Sequence, residues 1–200
     1  MKNYMIPGLY ENYKINIIFF EFYKYHPEFF IDDINMRAIY GNFQFCSWDG
    51  GRIFMGSNSH ATKEQIQTLQ KIYNNDLNIP MRFVFTNKLI QEKDCYDRFN
   101  NIVLELCCNN MNEIVNNSPI LEKYIRENYP EYKFISSTTK CLTDLENAKK
   151  EINNSDYILT CIDYNLNKNY SFLESLSPEE KAKTELLINA ICGPGCPNRA

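Results

Sequence analysis

Short apolar runs alternate with stretches of helical spacing along most of the chain. Residues 36–40 form the first run, ended by Gly41 and Asn42. Residues 62–74 place Ile66, Leu69 and Tyr73 on one helical face, and Thr62 with Gln65 three positions later predicts a capping box. The run at 81–85, MRFVF, is closed by Thr86 and Asn87. A helix over 95–108 carries Phe99, Ile102, Val103 and Leu106 on one stripe. The alternation continues with strands at 113–115, 132–135, 157–162 and 185–191. Helices at 120–128, 143–152 and 177–183 separate them, with Pro119 and Pro178 at or beside two helix starts. Thr143 and Glu146 predict the cap of the middle one. Before the rhythm begins, Ile17, Phe20, Glu21 and Lys24 fit a helix with Pro27 near its end.

About six strands, each joined to the next by a helix, predict an α/β fold with a mostly parallel sheet. The division expected is an N-terminal helical segment, 1–30, and a barrel-like domain, 31–200. Neither GxGxxG nor GxxxxGKS/T is present. Polar residues instead follow the strands, at Asn42, Asn87, Asn116, Ser136, Thr138, Asp163 and Asn189. That distribution favours a TIM-barrel-like array, whose sites lie at the carboxyl ends of its strands, over a doubly wound sheet. Six units leave such a barrel two short.

The chain has 200 residues, 44% hydrophobic and 23% charged, as in an ordinary globular protein. A net charge of −4 argues against a nucleic-acid binder held by a broadly basic surface. No apolar stretch approaches the roughly 18 residues of a membrane span. No export signal is evident, because Glu11 and Lys14 interrupt the start. The expectation is a cytoplasmic protein with reduced thiols.

Eight cysteines then have to be sorted by position. Cys95, Cys107 and Cys161 read as buried small residues. Cys192 and Cys196 flank Gly193-Pro194-Gly195, a turn on which two thiolates can face one metal. Cys46 and Cys141 follow strands and can reach the same rim. Structural or reactive thiols are the alternative. Arg52 ends the turn Asp49-Gly50-Gly51-Arg52 and suits a carboxylate or phosphate, although simple turn chemistry also accounts for it. Lys140, after four hydroxyl residues, is a candidate base or anion holder, and Asp163 a candidate acid, base or ligand. Neither histidine, His26 or His60, stands beside a nucleophile.

The ending, residues 187–199, reads LINAICGPGCPNR and resembles the VN-x-x-C-x-x-x-C-P-x-R segment of proteins related to the collagenase-like peptidase family of unassigned catalytic type. Phe134-Ile135-Ser136-Ser137-Thr138-Thr139-Lys140, Gly41-Asn42-Phe43 and Gly50-Gly51-Arg52 are similar to a bacterial branch of that group. The resemblance implies a barrel-like α/β fold. It also implies a four-iron cluster in some members, held by an early cysteine, a CxxxC pair and one further cysteine. Cys46 matches the early ligand, and Cys192 and Cys196 match the pair. No cysteine stands about a dozen residues before Cys192, so Cys141 or Cys161 would have to supply the fourth. Related chains continue past the CxxxCPxR segment, whereas this one ends at Ala200. A shortened relative is expected, closing with fewer strands, pairing with another copy or a partner chain, or being a fragment.

The leading expectation is an enzyme-like barrel whose rim holds a 4Fe–4S cluster through Cys46, Cys141, Cys192 and Cys196, with zinc or no metal as alternatives. Lys140 and Asp163 would be catalytic. Asn42, Arg52, Asn87, Asn116, Ser136, Thr138, Asn189 and Arg199 would face a small or nucleotide-like substrate. A non-catalytic binding protein or subunit retaining the fold is the second expectation.

Overall fold

A computed structural model of the protein describes residues 2–50 and 60–188. The strands are β1 (Lys2–Pro7), β2 (Ile34–Gly41), β3 (Met81–Phe85), β4 (Glu113–Asn116), β5 (Lys133–Ser136), β6 (Leu159–Cys161) and β7 (Thr184–Glu185). All neighbours pair in parallel, and the order across the sheet is the order along the chain. The helices are α1 (Tyr13–Tyr25), α2 (Lys63–Gln70), α3 (Arg98–Cys107), α4 (Pro119–Asn128), α5 (Leu145–Ile152), α6 (Tyr170–Ser175) and α7 (Pro178–Lys183). A parallel pair cannot be joined by a hairpin, so each strand returns through a crossover that contains helix. Among the described residues, no helix is long and apolar enough to cross a membrane.

The local signals behave as physical chemistry dictates. Thr62 accepts from the Gln65 amide while the Gln65 side chain accepts from the Thr62 amide. Ser177 and Glu180 make the same reciprocal cap on α7, and Pro178 occupies its first turn. For α5 the cap is one residue later than expected, because Asp144, not Thr143, accepts from Asn147. The stretch expected to be one helix over 95–108 is divided. A short 3-10 turn at Glu92–Tyr96 comes first, and Asp97 then caps α3 through the Asn100 amide.

Two differences bear on the site. Residues 2–7, within the expected helical segment, form β1, a seventh strand at the edge of the sheet. The last strand is short among the described residues, Thr184–Glu185, and 189–191 of the expected strand lie outside them.

β3 shows how the sheet sorts its side chains. All five of its residues are buried. Met81, Phe83 and Phe85 join the main core, with Leu104, Ile114, Leu121, Ile125 and Phe134 among its members. Arg82 and Val84, at the alternate positions, point to the opposite face. A flat sheet would set β3 and β7 about 19 Å apart, four strand spacings. Yet Arg82 Nη1 lies 2.6 Å from Glu185 Oε2. The sheet therefore curls into a half-barrel, with Arg82 on its concave side. Cys95, Cys107 and Cys161 are buried, as expected of small apolar residues.

Candidate functional site

The concave face holds a cavity of about 470 Å³. Asn3, Met5 and Pro7 of β1 line one side, and Cys161 and Glu185 to Ile188 line the other. Tyr40, Arg82, Val84 and Val115 form the wall between. Thr86, Ser137, Thr138 and Thr139 supply hydroxyls just past the carboxyl ends of β3 and β5. This is the end of a parallel array at which strand–helix barrels place their sites.

An ion network crosses the cavity wall. Arg82 Nε lies 2.8 Å from Glu113 Oε2, and its Nη1 lies 2.6 Å from Glu185 Oε2. Arg37 Nη2 reaches the other oxygen of Glu113 at 3.0 Å. Arg37 comes from the point where the β1–β2 register slips: Tyr4 pairs with Met36 and Met5 with Ala38, leaving Arg37 as the extra residue. The side chains of Arg82 and Glu113 are 2% and 3% exposed, so neither charge relies on bulk water. Burial works against the Arg82 charge, but Glu185 and Glu113 outweigh it and hold the guanidinium pKa above its ordinary value. Its third nitrogen, Nη2, is buried and has no hydrogen-bond partner among the described residues.

Few of the expected site residues share this cavity. Thr138 lines it, while its hydroxyl donates to the Ile162 carbonyl at 3.0 Å. Ser136, Thr138 and Asp163 line a separate water-sized crevice of about 10 Å³ between β5 and β6. Asp163 is buried and caps the following turn through the Asn165 amide at 2.9 Å. Asn42 clamps Val84, donating to its carbonyl at 2.6 Å and accepting from its amide at 2.9 Å. Asn116 closes its own turn on Ser118, and Asn87 ties the Ser47 carbonyl to the Leu89 amide. Arg52, Asn189, Arg199, Cys192 and Cys196 lie outside the described residues.

Lys140 is engaged on the helix side of β5. Its ammonium lies 2.6 Å from Glu151 Oε1 and 2.9 Å from the Tyr157 hydroxyl. The same carboxylate oxygen accepts from Ser136 at 2.5 Å. Burial opposes both charges, but the mutual hydrogen bond prevails, raising the Lys140 pKa and lowering that of Glu151. A lysine held this way is a poor general base at neutral pH. The signs give a pH window. The Glu151 contribution is present above its unfolded pKa near 4.5 and is lost as pH falls through its lower folded value. The Lys140 contribution is present below 10.5 and is lost as pH rises through its higher folded value. Melting temperature followed against pH is expected to fall outside that window by more in the native chain than in Lys140→Met/Glu151→Gln.

The two described thiol candidates sit apart in the fold. Cys46 is in the main core with Trp48 and Phe85, and burial pushes its thiol well above the ordinary range. That disfavours the thiolate a metal requires. Cys141 ends the turn after β5 in a left-handed backbone conformation, its Sγ 3.4 Å from the Thr139 carbonyl. Among the described residues, no three His, Cys, Asp or Glu side chains gather as a metal site. Two of the four expected ligands, Cys192 and Cys196, lie outside the described residues.

The residues that do converge, Arg82, Glu113 and Glu185, escaped the sequence reading. Each lies in a short strand, and Arg82 is masked by the apolar run around it. The available signal was a charge at a mid-strand position with strong apolar neighbours on both sides. Comparison with protein-family models, curated proteins and solved structures finds no match to this chain.

Proposed function

We propose that this chain binds a small, partly apolar molecule bearing hydrogen-bond acceptors in the concave cavity of its half-barrel. The observation that carries this is a cavity of about 470 Å³ against a buried guanidinium with one nitrogen that has no partner among the described residues. Its size falls within the roughly 300–1,000 Å³ usual for small-molecule sites. Val84, Val115, Leu187 and Ile188 suit an apolar body, and the hydroxyls of Thr86, Ser137 and Thr139 suit polar substituents. Two arginines face two glutamates in the network, so the wall is close to neutral and favours an acceptor-rich ligand over a highly charged one.

This is the binding-protein reading of the fold. The parallel half-barrel is also what a relationship to the collagenase-like peptidase family would entail, and we propose that kinship on the terminal CxxxCPxR resemblance. The cavity contributes no nucleophile–base pair to that idea among the described residues, and its chemistry supports ligand retention more directly.

Anilinonaphthalene sulfonate, an aromatic anion with acceptor oxygens, is a suitable probe. The folded protein is expected to bind one dye per chain at this site. Val115→Trp, which fills the cavity from β4, is expected to lower dye affinity at least tenfold, a change of about 1.4 kcal/mol. Unchanged dye binding in a Val115→Trp protein with native circular dichroism would refute the cavity as the site.

A further inference from the structure

The helix α1 is apolar on two sides. Phe20 is buried, and Ile17 and Tyr23 pack against the core. Asn16, also buried, donates to the carbonyls of Pro7 and Gly8, fixing the helix to the end of β1. The opposite side carries Ile15, Ile18, Phe22 and Tyr25, exposed by 66, 65, 42 and 66%. Phe29, 70% exposed, stacks on Phe22 with ring centroids 5.4 Å apart and extends the stripe.

We infer that this stripe is the contact face of a homodimer, α1 packing on α1 of a second copy. The spacing of 15, 18, 22 and 25 is three, four, three, the a/d seam by which helices interdigitate. A helix with one apolar side needs one partner, and a helix with two needs a second. At roughly 200 Å² for each whole side chain, these five leave on the order of 600 Å² of surface per copy. That is the upper end of what a monomer ordinarily exposes in one patch. Two copies would bury on the order of 1,200 Å², the lower end of specific interfaces, and the expected dissociation constant is micromolar.

The charges around the stripe favour a protein partner over a lipid surface. Lys14 and Lys24 stand against Glu11, Glu21 and Glu28. Lys24 is further occupied by the Asp76 carbonyl at 3.0 Å. A helix lying on anionic membrane instead carries a polar face rich in Lys and Arg.

Sedimentation equilibrium of the full chain tests this. The native protein is expected to pass from monomer to dimer across the micromolar range. Ile18→Glu is expected to weaken association at least a hundredfold with unchanged circular dichroism and melting temperature. Tyr25→Glu, at the last turn of the helix, is the second variant and should act in the same direction. A native chain that stays monomeric at about 100 µM overturns the dimer. So does a dimer that neither substitution weakens. A monomer that instead co-sediments with phosphatidylglycerol vesicles, and loses that binding in Ile18→Glu, transfers the stripe to a membrane surface and also overturns it. Dye binding in the concave cavity should survive both substitutions, which separates this inference from the proposed ligand site.

Discussion

Arg82→Met is expected to cost about 3–5 kcal/mol of folding stability, a large share of the 5–15 kcal/mol typical of a domain. Methionine fills much of the same volume, so the loss comes chiefly from charge rather than from a void. Without the guanidinium, Glu113 keeps only Arg37, and Glu185 loses the charge 2.6 Å away. Both carboxylates would remain mostly buried, at 3 and 12% exposure. A buried ion pair is weak net stabilisation, but breaking one side of it is expensive. Urea denaturation measures the loss. The triple variant Arg82→Met/Glu113→Gln/Glu185→Gln, which removes the stranded charges as well, is expected to recover most of it. A triple variant no more stable than Arg82→Met would show that the arginine acts through packing instead.

Asn112→Ala comes next, with an expected cost of about 3 kcal/mol from stranded buried groups. Asn112 is wholly buried and uses its whole amide. Its oxygen accepts from the Met81 amide at 2.8 Å and from Asn74 Nδ2 at 2.9 Å. Its nitrogen donates to the Cys107 carbonyl at 2.8 Å and to Asn74 Oδ1 at 3.0 Å. One side chain thus joins the starts of β3 and β4 to the end of α3 and the π-type turn after α2. Alanine leaves four partners short of a bond in a place water does not reach. Asn112→Asp tests the division of labour. It retains both acceptor bonds, loses both donors and adds a buried charge, so it is expected to be at least as destabilising as alanine. Chemical denaturation of the two variants, compared with Asn109→Ala at the half-buried edge of the same cluster, checks the order.

The repeating α/β architecture was legible because it rests on local chemistry. The Thr62 cap, Pro119 and Pro178, and the apolar strands all act within a few residues of themselves. β1 was not legible, since KNYMIP opens on two polar residues, ends in proline and lacks clean alternation. It becomes a strand because β2 lies beside it and because Asn16 of α1 ties down its end. The site was less legible for a related reason. Polar residues after strands looked like ligand contacts, but Asn42 and Asn116 spend their amides on backbone groups nearby. Residues of that type satisfy turns as readily as substrates. Glu113 stands opposite Arg82 in the β3–β4 register, but Glu185 joins them only when the sheet curls and β3 and β7 face each other across the concave side.

The strand order has a kinetic consequence. Each strand lies beside its predecessor, so during synthesis the sheet can lengthen in the order in which the chain emerges, every new strand finding its neighbour already in place. Closing long loops slows folding, and sequential pairing keeps each closure to a single crossover. The exception is the bond between Arg82 and Glu185, separated by 103 residues. Until Glu185 arrives, Arg82 has only Glu113 beside it, and the curl has no latch. The half-barrel should therefore assemble as an open ribbon first and tighten last.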